Sequence, residues 1–336
     1  MKTNSRIVVA IALVAGLGGL LAWLARAPAA PASNPGTNRE PAPTFQSSAE
    51  CRACHQDVWD EWHGSHHQIS YLNPEVRALS DDFRNKDCQA CHLPRPVSLT
   101  GYGQRVLPRQ THPDEGVGCL ACHQDVDGAI LGRHAAPDAP CRVRASAAFT
   151  AADMCASCHN QHATTDQWRA SRYPAAGQDC NHCHMPPVER QLGDGRTRPG
   201  RGHVFPGAHD PKMLRAAGSF EARVDGDAVV VTLTNTGAGH NVPTEERHRA
   251  VDMEVRFELA DGTTTAWHRA WRFRQPYRDE PGEDTQLPAG ESKSARVPIP
   301  AHAVRAAARL WYRLTPYIGD DDPRSTLLEE RTVELR

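Results

Sequence analysis

The sequence has almost no net charge, and its C-terminal part contains no cysteine. Its 38 basic and 40 acidic residues leave a formal net charge of −2, which excludes the strongly basic character of a nucleic-acid-binding protein. Eleven cysteines are present, yet none follows Cys183. Because 336 residues suffice for two domains, we treat the cysteine-rich and cysteine-free parts as separate domains.

The one long apolar run lies near the N-terminus, over residues 7–24. Its length lies between that of a signal peptide and that of a membrane-spanning anchor. Small residues before Ser33 would suit cleavage there. We predict that residues 1–32 are a signal peptide or an N-terminal membrane anchor, and that residues 33–47 are a Pro/Ala-rich linker. Either interpretation predicts export to the periplasm or to the outer face of the cytoplasmic membrane. Whether residues 7–24 attach the protein to the membrane is left open.

Ten of the eleven cysteines form five Cys-x-x-Cys pairs, and histidine follows each pair directly. The motifs, numbered in chain order, are Cys51-Arg-Ala-Cys54-His55, Cys88-Gln-Ala-Cys91-His92, Cys119-Leu-Ala-Cys122-His123, Cys155-Ala-Ser-Cys158-His159 and Cys180-Asn-His-Cys183-His184. This is the attachment signature of c-type haem, in which two thioethers fix the porphyrin to one helical turn and the histidine becomes the proximal iron ligand. Zinc sites and disulfides do not require that histidine each time.

The motifs therefore predict five covalently attached haem c groups. Five haems within so few residues replace a conventional hydrophobic core, so we expect residues 48–215 to form a pentahaem cytochrome c domain, mainly helical with long loops. The remaining cysteine, Cys141, has no partner motif. It is either a free buried thiol or a residue with a redox or ligand role.

Sixth ligands for the five irons must come from other histidines. Apolar residues at helical spacing predict a helix over residues 56–72 that carries His63, His66 and His67. Twelve residues of helix span about 18 Å, so His67 cannot return to the haem of His55 and must reach another one. The same argument applies to His134, eleven residues after His123. His66 is the alternative to His67 as this ligand.

Two segments resemble the small tetrahaem carriers that accept electrons from hydroxylamine oxidoreductase. The first is the opening motif with Trp62 seven and His67 twelve residues after His55. The second is "EGVGCLACHQDVDGAILGRH", whose loop is one residue longer than in that family. The resemblance covers about residues 48–190. It implies that His67 caps the iron of His123, that His134 caps that of His55, and that haems 1 and 3 stack closely.

The same resemblance implies that the second haem, on His92, is five-coordinate, although His112 is a candidate cap here. The fourth motif begins a partial repeat of the opening, in which Trp168 and Ser171 recur but Tyr173 occupies the position of His67. Tyr173 is interpreted as a packing residue, with iron ligation as the alternative. Further ligands are expected in "RGHVFPGAHDP", which supplies His203 and His209 and is similar to a segment that follows the last haem of many hydroxylamine-oxidoreductase-related cytochromes.

From Ser219 onward the sequence alternates with period two and is punctuated by glycine and proline, as at Asp261-Gly262. This pattern predicts an antiparallel β-sandwich, Ig-like, over residues 216–336, and hence an α+β two-domain chain. Its loop "TNTGAGHNVPTEERHR" resembles one that recurs in cytochromes with such a C-terminal domain. We hypothesise that His240 in this loop is a sixth ligand that fastens the sandwich to the haem domain.

Three functions compete. The first is a carrier that passes single electrons between redox proteins, donor and acceptor unknown, through closely packed, mostly bis-His haems. The second is a reductase or oxidase of small nitrogen or sulfur compounds at a five-coordinate haem 2. The third is a filament subunit. The enzyme hypothesis would use His92 with Arg95, Tyr102, Arg105 or His112 nearby, but the sequence has neither a Cys-x-x-Cys-Lys motif nor an evident counterpart of the tyrosine crosslink of hydroxylamine oxidoreductase. The carrier is the favoured hypothesis.

Overall fold

Short helices and long loops make up the cysteine-rich part of the chain. The computed structural model describes residues 43–191, 197–244, 249–277 and 280–335. The predicted targeting segment and most of the predicted linker lie outside these ranges. Within them, none of the helices has the length and apolar character that crossing a membrane requires.

The helices of the described residues are five to seven residues long. They are α1 (Gln56–Trp62), α2 (Pro74–Leu79), α3 (Lys86–His92), α4 (Cys119–His123), α5 (Asp153–His159), α6 (Thr164–Arg169), α7 (Cys180–His184) and α8 (Pro211–Ala216). Side-chain oxygens of Asn73, Asn85, Asp179 and Asp210 accept backbone N–H bonds at the starts of α2, α3, α7 and α8. Four of the five motifs form the ends of helices, which agrees with attachment at one helical turn.

Turns and two small ladders connect these helices. Short 3₁₀ turns occupy Ser48–Cys51, Val97–Leu99, Pro113–Glu115 and Ala147–Thr150. Strands β1 (Leu131–Gly132) and β2 (Arg144–Ala145) pair in parallel, and β3 (Pro187–Gln191) pairs antiparallel with β4 (Thr197–Arg201). The first motif lies between a 3₁₀ turn that ends at Cys51 and helix α1, which His55 directly precedes.

The helix predicted over residues 56–72 is much shorter in the structure. Helix α1 ends at Trp62, and a series of turns follows as far as Leu72. Gly64 has φ +87°, a left-handed conformation that cannot continue a right-handed α-helix. His66 and His67 therefore lie in turns, and the distance of about 18 Å expected for a continuous helix does not apply.

The C-terminal part consists of two antiparallel sheets, which confirms the predicted change to β structure. One sheet has the order β5–β6–β9, from strands β5 (Ser219–Asp225), β6 (Ala228–Thr234) and β9 (Ser292–Pro298). The other has the order β11–β10–β7–β8, from strands β7 (Ala250–Leu259), β8 (His268–Phe273), β10 (Ala303–Arg313) and β11 (Ser325–Glu334). The Ig-like arrangement stays a prediction.

Buried side chains from both sheets form one hydrophobic cluster. Val229 and Val231 on β6 belong to it together with Val251, Met253 and Val255 on β7, and all five are at most 1% exposed. Their alternating positions are those that period-two patterning requires of the inward face of a strand. The described residues belong to one compact unit that begins at Ala42, so the helices and sheets are parts of one body.

Candidate haem sites

Three of the motif histidines have one ring nitrogen bonded to a backbone carbonyl. They are His92, His123 and His184. The acceptors for their Nδ1 atoms are, in the same order, the carbonyl oxygens of Ser70 (3.1 Å), Leu131 (2.8 Å) and Pro206 (2.7 Å). Because a carbonyl only accepts, Nδ1 carries the proton and Nε2 carries the free lone pair. This is the usual arrangement of an imidazole that binds a metal.

Three of the motif histidines also face a second histidine at one characteristic distance. Ring centroids are 6.0 Å apart for His159 and His67, 6.4 Å for His123 and His203, and 6.3 Å for His184 and His240. A metal with a bond of about 2 Å to each of two imidazoles would separate the ring centroids by roughly 6.4 Å. Each pair therefore leaves the space that one iron between two Nε2 atoms needs, and the residues fit haem c.

The pairing differs from the one that the resemblance implied. His67 faces His159 of the fourth motif, and it is His203 that faces His123. The backbone of His67 does lie beside the third motif, since its carbonyl accepts a bond of 2.9 Å from Val117 N. The turn at Gly64 then leaves the His67 ring beside the fourth motif instead. Sequence spacing alone could not distinguish these two directions.

The partner imidazoles are held in the same way as the motif histidines. His203 Nδ1 donates to Arg201 O at 2.9 Å, and His240 Nδ1 donates to Asn241 O at 2.9 Å. Burial, with the nearby His159, lowers the pKa of His67 to about 3. Burial, with the nearby His123, lowers the pKa of His203 to about 4. Both imidazoles are therefore neutral at neutral pH, as a metal ligand must be.

The other candidate histidines have different surroundings. His209 stacks on His66 with ring centroids 3.8 Å apart, a spacing that leaves no room for an iron between them. His112 and His134 have exposed side chains. Partial desolvation lowers the pKa of His55, and Arg198 lowers it further. The assignment of His134 to the iron of His55 stays a prediction.

Thiol contacts bring the motifs together. The Cys51 thiol lies close enough to interact with the Cys119 thiol of the third motif, and the Cys155 thiol with the Cys180 thiol of the fifth motif. Cys91 of the second motif and Cys158 of the fourth motif pack against one apolar cluster. The first motif thus lies beside the third, the fourth beside the fifth, and the second and fourth share a cluster.

A buried carboxylate that the sequence reasoning missed joins the first and third motifs. Glu115 is 5% exposed and accepts bonds from Ser48 N (3.0 Å), Ser48 Oγ (2.8 Å) and the Ser47 hydroxyl. Ser48 Oγ in turn accepts a bond from Cys119 N at 3.0 Å. Ser47 and Glu50 also form a capping box directly before Cys51. This local pattern does not identify Glu115, which lies more than 60 residues further along the chain.

Comparison with known proteins gives two likenesses. Residues 50–124, which contain the first three motifs, match the family model described as Cytochrome c554 and c-prime. The structure resembles that of a penta-haem cytochrome c552 from Thermochromatium tepidum, with a TM-score of 0.65 and 19% sequence identity over 86% of this chain and 99% of that chain. At this identity the second likeness shows the fold alone. No curated protein sequence matches the chain. The family model and the five motifs support a multihaem c-type cytochrome with covalently bound haem.

Proposed function

We propose that this chain is an exported pentahaem c-type cytochrome that transfers single electrons between redox proteins. The observation that carries the proposal is the set of three imidazole pairs at 6.0–6.4 Å, each containing one motif histidine. Bound haem c would supply one-electron redox chemistry. The polypeptide supplies the ligands, their orientation and the burial around them.

The nine proposed iron ligands comprise the five motif histidines and four others. His67, His203 and His240 are supported by their ring distances to His159, His123 and His184. The fourth, His134 for the iron of His55, rests on the sequence. The ligand role that the sequence also suggested for His209 is not proposed, because its ring stacks on that of His66 at 3.8 Å. Bis-imidazole ligation closes both faces of an iron, so irons of this kind exchange electrons through the haem edge and do not bind substrate.

Contacts between motifs support a continuous path for electrons. The first and third motifs touch through Cys51 and Cys119, and the fourth and fifth touch through Cys155 and Cys180. Cys122 of the third motif and Cys155 of the fourth lie near enough for an electrostatic interaction between their thiols. Because every haem is attached covalently through these sulfur atoms, neighbouring thiols imply neighbouring porphyrin edges.

The proposal is tested on the purified protein with its full haem complement. We expect haem analysis and intact mass to give five haems per chain. We expect the oxidised spectrum to be low-spin and unchanged by nitrite or cyanide. A high-spin fraction near one haem in five that binds nitrite or hydroxylamine and turns it over would overturn the carrier function in favour of an enzyme acting at the haem of His92.

A further inference from the structure

The chain contains two copies of one structural unit. In the first copy, the Trp62 indole N–H donates to Val117 O at 3.0 Å, and in the second, the Trp168 indole N–H donates to Gln178 O at 3.0 Å. Each acceptor lies two residues before the first cysteine of the next motif in contact, Cys119 or Cys180. The interaction of Cys51 with Cys119 in the first copy corresponds to that of Cys155 with Cys180 in the second.

The turn after each tryptophan is also the same. Ser65 N donates to Trp62 O at 2.9 Å, and Ser171 N donates to Trp168 O at 3.0 Å. In the first copy, His67 O accepts from Val117 N at 2.9 Å. In the second copy, Tyr173 O accepts from Gln178 N at 3.0 Å. His67 and Tyr173 therefore occupy equivalent places in the two units.

The side chains of His67 and Tyr173 contact different neighbours. His67 faces the histidine of the following unit, His159. No third unit follows Tyr173 in the sequence, because no cysteine follows Cys183. Tyr173 is instead 8% exposed, and its hydroxyl donates to Thr236 O at 3.2 Å in the loop over residues 235–244.

Helix α6 holds the same loop at a second point. Gln167 Oε1 accepts a bond from Asn241 N at 3.1 Å and another from Thr244 Oγ1 at 2.7 Å. The contact leaves little free space: a Cβ on Gly239 would lie 3.1 Å from Trp168 Cδ1 and 3.3 Å from Tyr173 Cγ. The loop between the sheets is thus seated on the second copy of the tryptophan turn.

This loop carries His240, whose ring is 6.3 Å from that of His184 with an interplanar angle of 17°. Asn235, which is 1% exposed, donates from Nδ2 to His240 O at 2.8 Å and ties the ligand to the start of the loop. We propose that Gln167 and Tyr173 are positioning residues for His240. In the first unit this turn supplies the proposed ligand His67 itself. In the second unit the equivalent turn binds the loop of the β-sheet part that carries His240.

This inference rests on the proposed ligation of the fifth iron by His240, and the test separates the two. The haem-loaded full chain is compared as wild type, Gln167→Ala/Tyr173→Phe and His240→Ala. The double variant removes three hydrogen bonds to the loop and keeps the ligand. We expect one haem of the double variant to bind cyanide at concentrations about tenfold or more below any at which the wild type responds. His240→Ala should open the same haem fully, and added imidazole should restore its low-spin spectrum.

The matched control is Tyr317→Phe, which removes a tyrosine hydroxyl bonded to Glu280 in the sheet part without touching the loop. We expect its cyanide affinity to equal that of wild type. Tyr173→Phe alone, which keeps the packed ring, should give a several-fold effect and serves if the double variant fails to fold. If His240→Ala stays fully low-spin, the ligation itself is wrong. If His240→Ala opens a haem but the anchor variants bind cyanide as wild type does, the positioning role is wrong and the ligation stands.

Discussion

Five imidazoles of this protein share one local arrangement, in which Nδ1 donates to a backbone carbonyl. They are His92, His123, His184, His203 and His240. The bond fixes both the tautomer and the direction of the ring, so each Nε2 presents its lone pair at a fixed place. The sequence marks the three motif histidines by their neighbours. His203 and His240 have no such motif and were predicted only from the resemblance of their segments, because the fold brings them to their positions.

The histidine pair His203 and His209 provides a test at the residue scale. His203 faces His123 at 6.4 Å, whereas His209 stacks on His66 at 3.8 Å. We expect His203→Ala to convert one haem in five to the high-spin form, because its iron loses a ligand. We expect His209→Ala to leave every haem low-spin. Electron paramagnetic resonance of the oxidised variants measures both, and a high-spin signal in His209→Ala would show that the stacked ring is a ligand.

At the scale of elements, strands with regularly alternating residues were predictable from the sequence, whereas the point at which a helix ends was not. Alternating apolar residues correctly predicted strands such as β6 and β7, because period two is a property of any half-buried strand. The helix predicted beyond Trp62 was wrong, because apolar spacing continues through a turn that Gly64 begins. The pairing of His67 with His159 depends on that turn. A long-range contact of this kind has no signature in local spacing.

Two glycines near His67 provide a test at the element scale. Gly116 and Gly64 both have positive φ, at +48° and +87°. A Cβ on Gly116 would lie 2.3 Å from Gln68 O and 2.5 Å from His67 O, whereas a Cβ on Gly64 would meet nothing within 4 Å. We expect Gly116→Ala to lower the free energy of unfolding by about 2–4 kcal/mol, through a backbone clash added to conformational strain.

Gly64→Ala is the matched control, since it adds the conformational strain without the clash. We expect it to cost about 1–2 kcal/mol. Chemical denaturation of the haem-loaded variants, followed by circular dichroism, measures both changes. Equal losses in the two variants would contradict the close approach of Gly116 to the His67 turn.

At the scale of the whole molecule, the β-sheet part contributes packing and, in our proposal, one iron ligand. Its four-stranded sheet also contains a charge network: Asp252 is fully buried and bonds Arg272 at 2.6 Å and Arg313 at 2.7 Å. Removing one member of a buried ion pair leaves charges without compensation. The sequence analysis did not predict this network, because an alternating strand normally places its charged residues in solvent.

Substitution of Asp252 tests whether the two parts depend on each other. We expect Asp252→Ala to lower the free energy of unfolding by about 3–5 kcal/mol, because two arginines lose their buried partner. Asp227→Ala is the control, since its side chain is 98% exposed and its ion pair with Arg296 is long at 3.7 Å; we expect a change within about 0.5 kcal/mol. Thermal unfolding of Asp252→Ala is followed separately for the sheets and for the haem part. If only the midpoint temperature of the sheets falls, the two parts unfold independently.

The central claim is that histidine pairs close the irons of the third, fourth and fifth haems. Near-infrared magnetic circular dichroism of the oxidised protein tests it most directly, because its charge-transfer bands identify and quantify the axial ligands of low-spin haem. We predict bis-imidazole ligation in at least three of the five haems. Bis-imidazole ligation in fewer than three would contradict the account.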